Sequence, residues 1–141
     1  PNSNDVINAA ASFSALGVTG VTSPEITALN MNITNNLRQQ RVVGSLDSRG
    51  IGTGRFEVTG DFTAYFANAE LYDLFLAGTA TDLTFKLGGA SSKNYVFEMD
   101  KIKFESGEII AGGNDQDVLA NMTFRAIFEE NDNTLKVTRT A

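Results

Sequence analysis

Residues 55–78 change their hydrophobic period in mid-run, and this change narrows the possible folds more than any other feature of the chain. In the first half, Phe56, Val58, Phe62, Ala64 and Phe66 fall on one face of an extended strand, and Arg55, Glu57, Thr59, Asp61 and Thr63 fall on the other. The repeat then lengthens. Leu71, Leu74 and Phe75 recur at helical spacing, Asn68 stands where an N-cap belongs, and Gly78 ends the run. A long amphipathic strand running directly into one short helix, over about residues 68–77, is the expectation.

The rest of the chain is strand-like. Leu29, Met31 and Ile33 alternate with Asn30, Asn32 and Thr34, and Leu83, Phe85 and Leu87 alternate with Asp82, Thr84 and Lys86. Residues 95–105 alternate in both registers: Val96, Ile102 and Phe104 fall on one face, and Tyr95, Phe97 and Met99 on the other. This pattern predicts a bulge near Asp100 that flips the faces. The cleanest alternation runs Val118, Ala120, Met122, Phe124, Ala126, Phe128. Turns are expected at Asn35-Asn36, at Gly112-Gly113-Asn114-Asp115 and at Asn131-Asp132-Asn133. Several amphipathic strands and one helix predict a mainly β fold, an antiparallel β-sandwich or open barrel with one flanking α-helix. Residues 1–12 are small and polar and read as a flexible N-terminal tail or linker; residues 13–141 read as a single β domain. Starting at Pro1 without Met, the sequence reads as a processed chain or a piece of a longer one.

Composition removes most chemistry. With no His and no Cys, the commonest general base and the commonest transition-metal ligands are missing. Ser-His-Asp and Cys-His mechanisms are impossible, no disulfide framework exists, and neither a metal nor a cofactor is expected. Carboxylate catalysis stays open in principle. A net charge of −6 without any Lys/Arg cluster argues against tight binding to nucleic-acid phosphate. No apolar run is long enough to span a bilayer, so no membrane anchor is expected.

Local candidates for chemistry are weak. The glycines of residues 50–54 lack a Walker lysine and precede a strand, so a hairpin connection is the better reading than a phosphate cradle. Asp115, Asp117 and residues 129–133 lack the ligand spacing of a calcium loop. Glu57 and Asp61 share a strand face with Arg55, which fits an exposed charged face better than an acid/base pair. The glycosylation sequons at Asn32 and Asn121 lie inside predicted strands.

Over residues 25–140 the chain resembles the tail tube proteins of long-tailed bacteriophages. The segments that carry the likeness are Ile33-Thr34-Asn35-Asn36-Leu37, Gly44-Ser45, residues 54–66 around Val58-Thr59-Gly60, Leu71-Tyr72-Asp73-Leu74-Phe75, Phe124-Arg125-Ala126, and Leu135-Lys136-Val137-Thr138-Arg139. The type VI secretion tube protein shares this architecture. The resemblance implies a structural virion protein and not an enzyme. Subunits would join edge to edge into rings, and rings would stack into the tube through which DNA is ejected. The implied partners are other copies of the chain and the tail tip and terminator proteins, with DNA passing and not bound. The implied location is the virion tail, after assembly in the host cytoplasm.

The resemblance implies an inner sheet from residues 25–34, 55–66 and 118–129. Glu57, Thr59, Asp61, Thr63, Asn121 and Thr123 would line the channel. Arg55, Arg125, Arg38 and Arg41 would serve contacts between subunits, and residues 38–54 would form a loop that orders when rings stack. Tube subunits are often longer, which fits a start without Met. The rival readings are a β-sandwich binding, adhesion or decoration module, a tail terminator or connector ring protein, and a carboxylate glycosidase. The binding module would need exposed aromatics, for which only Tyr65, Tyr72 and Tyr95 are candidates.

Overall fold

The two strongest alternations in the sequence become neighbouring strands at the centre of one sheet. The computed structural model describes residues 13–22, 24–44, 47–67, 69–88, 94–130 and 133–140. In chain order its elements are β1 (Phe13–Val18), β2 (Ile26–Thr34), β3 (Arg38–Gln40), β4 (Gly50–Gly52), β5 (Glu57–Tyr65), α1 (Glu70–Ala77), β6 (Thr81–Gly88), β7 (Asn94–Ala111), β8 (Val118–Ala126) and β9 (Lys136–Thr140). β5 and β8 pair antiparallel from Thr59↔Arg125 to Tyr65↔Leu119. Their inward faces, Val58, Phe62 and Ala64 with Ala120, Met122 and Phe124, are buried. β2 flanks β5 and β7 flanks β8, giving the order β1-β6-β7-β8-β5-β2, with β9 also on β7. Every pairing among the described residues is antiparallel.

One strand belongs to both halves of this sheet. The first part of β7 pairs with β6 and β9, and the second part pairs with β8. Between Leu83↔Met99 and Thr81↔Ile102, β7 spends one residue more than β6. That extra residue turns the inward set from Phe97 and Met99 to Ile102 and Phe104, the flip expected near Asp100. A second extra residue lies between Phe104↔Phe124 and Ser106↔Thr123. Bulges sharpen the local twist, and buried residues from both halves of the sheet join one apolar cluster.

The core therefore draws on both halves. Phe62 meets Phe104 edge-on at 6.1 Å, and Phe85 stacks on Phe97 at 4.8 Å; such pairs contribute about 0.5–1.5 kcal/mol beyond area burial. β5 tolerates only glycine at its inward position 60, where a Cβ would sit 2.4 Å from the Asn30 carbonyl oxygen and 2.6 Å from the Phe124 ring.

α1 covers one flank. Leu71 is buried, and Phe75 packs over Gly107. The backbone N–H of Thr22 donates to Glu70 Oε2 at 2.7 Å, tying the helix start to the β1–β2 connection. Gly78 caps the helix end at φ 59°, the left-handed conformation expected of it. The start differs from expectation: the cap position is Ala69, without a side-chain hydrogen bond, and Asn68 lies outside the described residues. Packing of Leu71 and the Glu70 contact hold this end instead of a cap.

Two phenylalanines also depart from their predicted faces. Phe56 is 40% and Phe128 71% exposed. Each sits just past a strand end, beyond the cover of the described neighbouring strands: β5 begins at Glu57 and β8 stops at Ala126. Residues 106–111, unassigned by periodicity, extend β7. Of the turn expected at Asn131-Asp132-Asn133, the first two residues lie outside the described set.

Candidate functional site

With one face of β5 and β8 buried, the opposite face is presented as a set of cross-strand rungs. Asn32, Thr59 and Arg125 share one rung. Asn30, Asp61, Thr123 and Ser106 form the next, and Thr63, Asn121 and Glu108 the one beyond. These side chains bond to one another. Asn30 Nδ2 donates to Asp61 Oδ2 at 2.9 Å, Thr63 Oγ1 donates to Asn121 Oδ1 at 2.8 Å, and the hydroxyls of Ser106 and Thr123 lie 2.6 Å apart. Paired polar groups of this kind fix the face without needing a ligand. A shallow, open recess of about 330 Å³ runs over Gly60 between Asn32 and Glu105.

All six residues expected on one face, Glu57, Thr59, Asp61, Thr63, Asn121 and Thr123, are thus brought onto the same side of the sheet. The arginines divide. Arg55 Nε is 3.9 Å from Glu57 Oε1. Arg125 lies on the face itself, with Nε 2.7 Å from Glu105 Oε1 and Nη1 4.0 Å from Glu57 Oε1. The Glu105 approach is an ion pair off the N–H direction, so Nε has no hydrogen-bond partner. Arg38 and Arg41 stand elsewhere, on a hairpin beyond the sheet.

Asn30, Lys103, Glu105, Ser106 and Glu108 complete the face and were not singled out in the sequence. The signal was present in the alternation of Ser106, Glu108 and Ile110 with Gly107, Ile109 and Ala111. It was hidden by Glu105, the extra residue that resets the register.

The hairpin arm, residues 35–56, continues β2 and β5 past their last pair, Thr34↔Glu57. Its base is built by asparagine chemistry. Asn36 takes φ 47°, and its Nδ2 donates to the Arg55 carbonyl oxygen at 2.9 Å. The Gly54 N–H donates to the Asn35 carbonyl at 3.1 Å, and a Cβ at Gly54 would meet the Asn36 oxygen at 2.3 Å. Beyond the base, β3 and β4 pair only with each other among the described residues, and Leu37, Val42, Val43 and Ile51 are exposed. The opposite end of the sheet carries a second exposed apolar group: Tyr65, Ile110 and Val118, the first two flanking Leu119 on one rung.

Comparison with known proteins places this architecture. A family model described as phage tail tube protein matches residues 1–126. The chain belongs to the phage tail tube protein family. Solved structures share its fold, two of which follow. One is a chain from the virion of a native gene transfer agent particle, 12% identical, covering 83% of this chain and 85% of that one at a TM-score of 0.51. The other is from the cryo-EM structure of the anti-feeding prophage baseplate, sixfold symmetrised. It is 11% identical and covers 96% of this chain and 97% of that one at a TM-score of 0.52. A search of the curated proteins returns no match. As a member of the tail tube family, the protein has a structural role, and its place is the virion tail.

Proposed function

We propose that this tail tube protein is the repeating subunit of closed rings that stack into the tube, with the polar face of β2-β5-β8-β7 lining the DNA channel. One observation carries the reading: this face is polar across four strands, and both outer strands of that set offer a free backbone edge. Among the described residues, β2 pairs only with β5, and β7 beyond Ile102 pairs only with β8. An edge on each side is the arrangement a heterologous contact needs, because β2 of one copy can add to β7 of the next until the ring closes. Pairing also removes the aggregation hazard of two open edges.

In this ring Glu57, Thr59, Asp61, Thr63, Asn121 and Thr123 face the channel. The carboxylates of Glu57, Asp61, Glu105 and Glu108 outnumber the cations of Lys103 and Arg125, so the wall repels phosphate and DNA slides without sticking. Arg55 and Arg125 sit where a neighbour's carboxylate can join their pairs, and Arg38 and Arg41 serve contacts between rings. The role is non-enzymatic. Assembly takes place in the host cytoplasm on a tail tip and is closed by a terminator protein. Residues 1–12 serve as a tail or linker to a single domain of residues 13–141.

Negative-stain electron microscopy beside light-scattering mass tests this. Rings or hollow tubes are expected at high concentration; a strictly monomeric particle, even with a tail-tip nucleus present, would overturn it. For the channel face, Asp61→Lys should leave the fold intact and impair DNA ejection. Normal infectivity of a phage carrying it would remove Asp61 from the lumen.

A further inference from the structure

Among the described residues, the two free edges of the channel sheet, β2 and the second part of β7, are built differently. β2 presents a regular edge. From Ala28 to Thr34 it pairs with β5 residue for residue, and the whole strand, Ile26–Thr34, holds neither a charge nor a proline. Open edges are protected by charges, prolines or bulges, and residues 28–34 have none of the three. The edge of β7 has two. Lys103, Glu105 and Glu108 are charged, and a bulge falls within the edge itself.

Glu105 makes that bulge. Ile102 to Phe104 pair with Ala126 to Phe124, Ser106 to Ala111 pair with Thr123 to Val118, and Glu105 is the extra residue between them. A bulged residue interrupts the ladder and bends its strand, so an incoming strand meets two short stretches in place of one continuous edge. The Glu105 side chain is clipped across the strand pair. Its Oε1 lies 2.7 Å from Arg125 Nε, and the same guanidinium reaches Glu57 Oε1 at 4.0 Å through Nη1.

The core does not call for this bulge. Without Glu105, Phe104↔Phe124 and Ser106↔Thr123 become successive pairs, Phe104 stays inward and Ser106 stays on the polar face, so every β7–β8 pair survives. The bulge near Asp100 is different, because Met99 and Ile102 are both fully buried and only an extra residue between them turns both inward.

We infer that Glu105, held by Arg125, is an assembly guard: a bulge on one of the two ring-forming edges that keeps copies of this chain apart until several are engaged together. The inference rests on the ring reading and adds the residues that regulate ring formation. One guarded edge suffices, because each junction of a heterologous ring needs one β2 and one β7. Pairing of a single β2 over short stretches is marginal by itself. Once a copy is held by one contact, the next pairing is intramolecular and the same weak junctions persist. An exposed ion pair is a weak hold, so the clip yields when a neighbour is fixed in place.

Assembly kinetics test this in the full chain, followed by light scattering and negative-stain microscopy with and without tail tips as seeds. Circular dichroism melts establish the folding of each variant. Deleting Glu105 should abolish the lag that wild type shows without seeds. Glu105→Gln and Arg125→Gln keep the bulge and release the clip, so each should shorten the lag without abolishing it. Asp73→Asn, which removes the same charge on the exposed side of α1, should keep the wild-type lag. If the deletion fails to fold, the two glutamine variants decide. Deletion and glutamine variants that fold and keep the wild-type lag, an equal shortening by Asp73→Asn, or wild type that assembles unseeded without a lag would each overturn the guard while leaving the rings standing. Absence of rings from wild type on seeds would overturn the ring reading itself.

Discussion

β5 and the arm that precedes it are one continuous stretch of chain, yet they obey different rules. In β5 every second side chain from Val58 to Ala64 is buried, or is a glycine because nothing larger fits. In β3 all three side chains are exposed, and in β4 Ile51 points into solvent. The difference lies in neighbours and not in propensity. β5 is flanked by β2 and β8, and its inward side chains belong to the buried apolar cluster, so its alternation is converted into burial. Among the described residues, the two strands of the arm pair only with each other. A two-stranded ribbon without a packed face is marginal in water, so its apolar residues stay unused by the monomer and are available to a partner.

This contrast can be broken by substitutions of graded size. The largest effect is expected in the ladder: Phe124→Ala, at 1% exposure, should lower stability by about 3–5 kcal/mol through the cavity it leaves, read by urea or thermal unfolding. An unchanged melt would remove Phe124 from the core. Next is Gly60→Ala, which should cost about 1–3 kcal/mol by overpacking, because the added carbon meets backbone on one side and the Phe124 ring on the other. Gly78→Ala ranks third; forcing a Cβ into the left-handed helix cap should cost about 1 kcal/mol. On the arm, Val43→Ser should shift the unfolding free energy by less than about 0.5 kcal/mol. A destabilisation of the monomer comparable to that of Phe124→Ala would show that the arm belongs to the core after all, and the comparison between the two regions would collapse.

A pH series sharpens the other margin of the fold. Lys136 on β9 lies 2.7 Å from Glu98, and the hydrogen bond and charge of that carboxylate hold its pKa above the ordinary lysine value. With the folded pKa raised, the contribution is complete below the unfolded value and fades as pH rises through the folded one. Protection of the β7–β9 amides from hydrogen exchange, normalised for the intrinsic rate, should therefore weaken only in alkali. The effect should be small, because the pair is solvent-exposed.

What could be read from the residues follows the same division. The parity of residues 57–64 and 120–126, the flip near Asp100, the helix face of Leu71, Leu74 and Phe75, and the left-handed stop at Gly78 were all legible, and so was membership of one face by Glu57, Thr59, Asp61, Thr63, Asn121 and Thr123. Each rests on a local rule: a period of two, a period of 3.6, or a residue that alone tolerates a given φ. The rungs were not legible. That Asn30 bonds Asp61, that Ser106 meets Thr123 and that Arg125 is engaged by Glu105 depend on strand order and register, which pair residues between 17 and 31 positions apart in the two hydrogen-bonded cases. Phe56 and Phe128 were misplaced for the same reason, since alternation continues past the point where a neighbouring strand ends.

Sequence alone thus determined the element types, the buried parity of the central strands and the absence of histidine and cysteine chemistry, because each is a property of single residues or of their local spacing. Only the tertiary structure decided which polar residues share a rung, why Gly60 must be glycine, and that Glu105 is an extra residue between two paired stretches of β7. Those are relations across space, created when β7 bends at its bulges and brings distant segments into one ladder.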